Sequence, residues 1–145
     1  MLRGNYPATV DEKGRVKIPA AFLDELRKSN KKFYVTSASG DHARVYPMKE
    51  WEKIEEKLAK VSSYNEAKEK FLMRTNYYGQ VVELDGQGRI LIPSVLRESA
   101  QMKGEVDVQG RLTYLEVWNH AQVLDQINKK PVTADDKKAF AELGI

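Results

Sequence analysis

The chain has 145 residues, of which 41% are hydrophobic and 31% are charged, a balance typical of a globular protein. No apolar run approaches the roughly 18 residues that a membrane span requires, so we expect a cytoplasmic protein that does not enter a membrane. There is no cysteine, and His42 and His120 are the only histidines, so the usual zinc sites are excluded and we expect no metal or cofactor. The formal net charge of +3 is only a weak argument for a polyanionic partner.

The first half of the chain begins with a predicted strand, turn and strand. The segment "YPATV" leads into the turn "DEKG", and "RVKIP" follows it. In that second segment Val16 and Ile18 alternate with Arg15 and Lys17, which predicts a strand with one apolar face and one charged face.

A helix, a hairpin and two more helices are predicted next. Pro19 ends the strand and can open the first helix, whose buried stripe would be Phe22, Leu23 and Leu26. The hairpin turns around residues 39–41, and helices are predicted over 48–61 and 62–76.

The second half repeats this order with an offset of 74 residues. "DEKGRVKIP" (residues 11–19) returns as "DGQGRILIP" (residues 85–93), with Ile90 and Ile92 predicted to point inward. A hairpin around Gln109-Gly110 and a helix buried through Val123, Leu124 and Ile127 would follow. The segment after Pro131 resembles a short helix capped by Thr133 and Asp136.

The duplicated phrase places the same residue types in the same positions of two turns. Gly14 and Gly88 supply the positive φ that such a turn needs, and Asp11 and Asp85 can accept backbone N–H groups across it. Arg15 and Arg89 then leave the turns on the faces opposite the apolar residues. An arginine held in this way suits a phosphate or a guanine edge. Pro19 and Pro93 close the two phrases.

An alternative reading of these turns is purely structural. On spacing alone, an Asp-x-x-Gly-Arg turn is more often a hairpin whose arginine is neutralised by its own aspartate. Lys13, Arg15 and Lys17 crowd together in the first half, whereas the second half has Gln87 and Leu91 beside Arg89. Those lysines favour the binding interpretation and make the first turn the stronger candidate.

Other candidate sites are weaker. Gly86 and Gly88 lack the further residues of a dinucleotide or phosphate loop. His42 and His120 have no nucleophile at a recognisable spacing, so we expect solvated turn and capping roles and no enzyme activity.

Trp51 and Trp118 are interpreted as core residues. A basic cluster could follow a phosphate backbone but is more simply a solvated helix end; it consists of Arg27, Lys28, Lys31 and Lys32.

The opening "MLRGNYPATVDEKGRVKIPAAF", together with the second "DGQGRILIP", resembles the MraZ family of bacterial transcriptional regulators over nearly the whole chain. The resemblance implies an α+β fold: a pseudo-dimeric, swapped-hairpin AbrB-type β-barrel built from two βαββ repeats with flanking helices. The two SpoVT/AbrB-type repeats would occupy residues 1–74 and 75–145.

The same resemblance implies the function and its residues. Family members form cyclic homo-oligomers in the cytoplasm, associated with the nucleoid. They bind tandem short repeats in double-stranded DNA upstream of the division and cell-wall gene cluster that includes their own gene, usually as repressors. The DNA contacts would fall on Arg15 and Arg89, with Lys13 and Lys17 beside them, and Arg3 fits the family's N-terminal pattern. Gly86 and Leu91 depart from that pattern in the second repeat.

Two rival functions remain open from the residues alone. The first is an AbrB-like antitoxin or assembly adaptor that binds another protein instead of DNA. The second is a phosphate-handling enzyme, for which the sequence shows no catalytic trio.

Overall fold

The computed structural model describes all residues, 1–145, as eight strands and six helices. The strands are β1 (Asn5–Val10), β2 (Arg15–Lys17), β3 (Lys32–Thr36), β4 (Ala43–Pro47), β5 (Gln80–Glu83), β6 (Arg89–Leu91), β7 (Gly104–Arg111) and β8 (Tyr114–Asn119). The helices are α1 (Ala20–Arg27), α2 (Met48–Ala59), α3 (Glu66–Tyr77), α4 (Ser94–Ser99), α5 (His120–Lys129) and α6 (Ala134–Glu142). None of these helices has the length and apolarity needed to cross a membrane.

The strands form one antiparallel sheet in the order β5-β3-β4-β8-β7-β1-β2-β6. Strands β5 and β6, at the two ends of this order, also approach each other, so the sheet is a nearly closed barrel. The predicted α+β barrel is confirmed.

The two halves exchange strands within this barrel. Strand β1 pairs with β7, and β5 pairs with β3, so the first strand of each half joins the third strand of the other half. The short strands β2 and β6 pair with each other, and Val16 lies opposite Ile90 at their centre. This exchange is the swapped-hairpin arrangement that the resemblance implied.

A single hydrophobic core of 20 residues draws on both halves. The predicted inward residues Val16, Ile18, Ile90 and Ile92 are each at most 1% exposed. Burial of such a side chain contributes roughly 1.5–3 kcal/mol, so the alternating pattern of the repeated phrase fixes how β2 and β6 sit in the sheet. Their opposite faces carry the arginines to the surface.

The helices largely follow the sequence pattern. α2 and α3 lie within the segments predicted as helices, apart from the last residue of α3, and Asn65 caps α3 by accepting the backbone N–H of Lys68. α6 begins with the predicted capping box between Thr133 and Asp136. All nine residues of α6 are exposed.

Two predictions in the second half are wrong. The hairpin does not turn at Gln109-Gly110, because β7 continues to Arg111 and the chain reverses at Leu112 and Thr113. Leu112 takes the positive φ of 67° and exchanges two backbone hydrogen bonds with Leu2, which extends the hairpin beyond the glycine. On α5, only Val123 is buried, and Leu124 and Ile127 are 53% and 61% exposed.

Candidate nucleic-acid interface

The first motif turn is closed by the carboxylate of Asp11. Its Oδ1 accepts the backbone N–H groups of Lys13 and Arg15, each at 2.9 Å, and its Oδ2 accepts Nε–H of Arg15 at 3.2 Å. Gly14 takes φ of 84° and donates its N–H to the carbonyl of Asp11. Such a conformation favours glycine because it has no Cβ.

The second motif turn has the same geometry. Asp85 accepts the N–H groups of Gln87 and Arg89 at 2.9 Å each, and Nε–H of Arg89 at 2.8 Å. Gly88 takes φ of 74°. The repeated phrase therefore encodes one local structure twice.

The two turns lie side by side and are joined by reciprocal backbone hydrogen bonds. The N–H of Ile18 donates to the carbonyl of Gly88 at 2.9 Å, and the N–H of Ile92 donates to the carbonyl of Gly14 at 3.0 Å. Nη1 of Arg89 lies 3.7 Å from Oδ2 of Asp11, so the second arginine approaches the carboxylates of both turns. The barrel thus presents the two arginines as one unit.

Each arginine pairs with the aspartate of its own turn, but this pairing uses only part of its hydrogen-bonding capacity. The aspartate uses the Nε–H donor, and both Nη groups of Arg15 are left without a hydrogen-bond partner. A guanidinium has five N–H donors, so four remain for an external acceptor. The side chains of Arg15 and Arg89 are 28% and 25% exposed, so both reach the surface. Their bonds to Asp11 and Asp85 fix their orientation there.

The aspartates are held in the charged form that this arrangement needs. The backbone N–H of Arg15 is the main cause that lowers the pKa of Asp11 below its usual value. Desolvation would raise the pKa of Asp85, but the hydrogen bonds from Arg89 and Gln87 and the charge of Arg89 outweigh it and the pKa is lowered. Both aspartates therefore keep orienting their arginines in mildly acidic solution.

One of the two flanking lysines is shared between the turns. Lys13 lies in the first turn, and Lys17 is exposed at the end of β2. Lys17 pairs across the sheet with Arg89, while Arg15 pairs with Leu91. Lys17 thus lies beside both arginines, an arrangement that the pairing of β2 with β6 produces and that the sequence alone did not predict.

A third arginine reaches the first turn from the second half of the chain. Nε of Arg97 in α4 donates to the carbonyl of Ile92 at 2.9 Å, and its guanidinium covers Gly14 so closely that a Cβ there would overlap it. At the second turn, Leu23 of α1 takes this place over Gly88, where a Cβ would come within 3.2 Å of it. Leu23 and Arg97 are 74 positions apart, so the repeat alignment was the one signal that could have identified Arg97.

Arg3 is not brought to the motif turns. It follows Leu2, which bridges to Leu112 at the far end of β1, and the six residues of β1 lie between it and Asp11. At about 3.3 Å per residue these six residues span roughly 20 Å. Any contact that Arg3 makes with DNA would belong to a different part of the surface.

His42 and Trp118 differ from the sequence interpretation. The ring of His42 stacks on Trp118 with centroids 4.3 Å apart, and its side chain is only 12% exposed, so it is not a solvated turn residue. Trp118 is half-buried instead of core, whereas Trp51 is buried as predicted. His120 opens α5 and pairs with the buried Asp107 at 2.7 Å, and Asn119 provides the cap.

The chain matches the protein-family model described as "MraZ protein, putative antitoxin-like" over residues 1–74 and 79–143. It is 52% identical to the "Transcriptional regulator MraZ" of Acidobacterium capsulatum over 148 aligned residues, and the match covers 100% of both chains. The protein of the same name from Koribacter versatilis is also 52% identical with complete coverage of both chains. That of Moorella thermoacetica is 37% identical over 98% of this chain and 95% of its own.

Proposed function

The chain belongs to the MraZ family, and from that premise we propose that it is a DNA-binding transcriptional regulator. The observation that carries the proposal is the pair of adjacent turns in which Arg15 keeps its Nη donors free at the surface. Guanidinium groups fixed in this way can bind phosphates bidentately or read the O6 and N7 atoms of guanine.

The finer function that we propose follows the family resemblance. The protein represses the division and cell-wall gene cluster that includes its own gene, by binding tandem short repeats upstream of it. Repeat 1 (residues 1–74) and repeat 2 (residues 75–145) each supply one arginine turn. The protein acts in the cytoplasm at the nucleoid, as a binding protein and not as an enzyme.

We also propose that copies assemble into a cyclic homo-oligomer. Exposed apolar side chains on α5 and on the C-terminal segment support this, because single chains would leave them in water; they include Leu124, Val132, Phe140 and Leu143. Linked copies on tandem DNA repeats would multiply the apparent affinity when their geometry allows simultaneous contact. A small net charge is then compatible with tight binding.

The function is tested by the salt dependence of binding. DNA from upstream of the protein's own gene and a scrambled fragment of equal length are titrated in gel shifts from low to moderate salt. We expect tighter binding to the upstream fragment, and a fall of log affinity with log salt whose slope is about −0.9 for each phosphate contacted. Equal affinity for both fragments at every salt concentration would contradict sequence-specific regulation.

A second candidate function is supported by the description of the family model as antitoxin-like. The protein would then bind another protein through its exposed apolar surface. In that case a polypeptide would co-purify with it, and the purified protein would pass through a DNA column at low salt.

The substitution Arg97→Leu tests the asymmetry between the turns. It gives the first turn the residue type that covers Gly88 in the second, and it removes the cation over Gly14 together with its hydrogen bond to the Ile92 carbonyl. We expect about a three- to tenfold loss of affinity at low salt, and a salt slope reduced by about one contact. Leu23→Met, which changes the covering residue of the other turn without changing charge, is the matched control. Unchanged affinity in Arg97→Leu would remove Arg97 from the interface.

A further inference from the structure

A groove with a volume of about 640 Å³ lies beside α5, and no residue of the motif turns lines it. Its walls come from the β3–β4 loop, from β4, β7 and β8, and from α5 and the residue that follows it. Six of its lining residues carry the argument: His42, Arg44, Arg111, Glu116, Trp118 and Lys130.

The carboxylate of Glu116 is the fixed centre of the groove. Its side chain is only 2% exposed, and it accepts hydrogen bonds at 2.9 Å from Nη2 of Arg111 and from the indole N–H of Trp118. Nε of Arg44 lies 3.1 Å away, and the buried Nε2 of His42, which makes no hydrogen bond, lies at 3.5 Å. Burying a carboxylate is costly unless it is fully paired, as this one is.

Glu116 holds two guanidinium groups at the surface of the groove. Nη1 of Arg44 donates to the hydroxyl of Tyr46 at 3.0 Å, and the guanidinium lies 5.0 Å above the centre of the Tyr114 ring. The side chains of Arg44 and Arg111 are nevertheless 38% and 48% exposed. Nη2 of Arg44 and Nη1 of Arg111 have no hydrogen-bond partner, so each arginine is oriented but still has free donors.

The carboxylates of the groove are outnumbered by its cations. The contacts of Asp41 with the hydroxyl of Ser39 and with Nδ1 of His42 both involve Oδ1, so its Oδ2 stays free, and Glu116 has the partners described above. The free charged donors belong to Arg44, Arg111 and Lys130, which are three cations against two carboxylates. This excess of positive charge favours an anion.

One side of the groove is apolar. Val123 and Ile127 of α5 line the groove together with Trp118, whose ring stacks on that of His42. Grooves of roughly 300–1,000 Å³ that combine an apolar wall with a few convergent polar groups are typical of small-molecule sites. A bare inorganic ion would leave the apolar wall uncovered.

We propose that this groove binds a small organic anion, with a phosphate or carboxylate group held by Arg44, Arg111 and Lys130 and an aromatic or short apolar body against Ile127 and Trp118. Oriented guanidinium groups bind both kinds of oxyanion bidentately, so the two arginines suit this ligand class. The site is separate from the motif turns and does not depend on DNA binding.

The proposal is tested with phenyl phosphate as the probe and the two indole N–H resonances of the full chain as the reporters. We expect phenyl phosphate to shift the Trp118 resonance in a saturable way and to shift that of the buried Trp51, which does not line the groove, much less. Inorganic phosphate, which lacks the apolar body, and benzyl alcohol, which lacks the anion, should bind more weakly. Equal shifts of both tryptophans, or equal affinity for all three probes, would overturn the proposal.

The variant Arg111→Gln isolates the anion contact. It keeps a donor near Glu116 and removes the charge, so we expect about a tenfold weaker affinity for phenyl phosphate. Arg27→Gln, a charge change at the end of α1 outside the groove, should bind as the unsubstituted protein does. Unchanged affinity in Arg111→Gln overturns the proposal. So does a shift of Trp118 by upstream DNA, which would make the groove a nucleic-acid contact, or loss of oligomers in this variant, which would make it a subunit contact.

Discussion

Substituting Arg15 with alanine is expected to reduce the affinity for upstream DNA at least about tenfold, the largest loss among the single substitutions at the motif turns. A bidentate arginine contact with a base discriminates by about 1–3 kcal/mol, and linked copies would lose it at every engaged turn. The turn itself should survive, because Asp11 keeps the backbone N–H groups of residues 13 and 15. Gel shifts with upstream and scrambled DNA at two salt concentrations measure the loss.

The comparison with Arg89→Ala makes this prediction specific. Arg89 approaches the carboxylates of both Asp85 and Asp11, whereas Arg15 pairs only with Asp11. The positive charge of Arg89 is therefore more fully neutralised than that of Arg15. We expect Arg89→Ala to cost less affinity than Arg15→Ala, and Lys60→Ala, after the last turn of α2, to cost none. Equal losses at both arginines would refute the ranking, and full binding by Arg15→Ala would remove the first turn from the interface. Thermal unfolding of each variant checks that the fold is intact.

The barrel could be predicted because its sequence signal is local and occurs twice. Alternation around Val16 and Ile90 fixes which faces of β2 and β6 are buried, and Gly14 and Gly88 occur where the turns need a positive φ. The strand exchange came from the family resemblance and not from periodicity. Pairing between β1 and β7 joins residues about a hundred positions apart, and neither strand carries a sequence pattern from which its partner strand could be identified.

The sequence did not predict the charged contacts of the motif turns or of the groove, because they join residues that are distant along the chain. Arg97 belongs to a short helix in the second half, and only the strand exchange brings it over Gly14. The Glu116 cluster combines residues from β4, β7 and β8 with a loop histidine, and the sequence shows them as isolated polar residues on alternating strands. The turn at Leu112 was misplaced because the glycine at 110 is a stronger turn signal than a leucine.

The pairing of Glu116 predicts how the protein responds to acid. Burial raises the pKa of this carboxyl, but the close contact with His42, the hydrogen bond from Trp118 and the positive charge of Arg111 lower it to about 2 from an ordinary value of 4.5. A pKa that is depressed in the folded state adds stability above the unfolded pKa. That stability is lost as the pH falls from about 4.5 toward 2.

At pH 7, Glu116→Gln is therefore expected to lower the free energy of unfolding by about 3 kcal/mol, which is the shift of the pKa converted at about 1.4 kcal/mol per unit. The difference from the unsubstituted protein should shrink toward zero between pH 4.5 and pH 2, because the carboxyl that was replaced becomes neutral there. Urea unfolding at pH 7, 4 and 3 measures this difference in stability, with Glu56→Gln on the exposed face of α2 as the control.

Asp11, Asp41 and Asp85 also have lowered pKa values, but they titrate in both proteins and cancel in the difference. A difference that stayed constant across this range would show that Glu116 stabilises the barrel by its shape and hydrogen bonds and not by its charge.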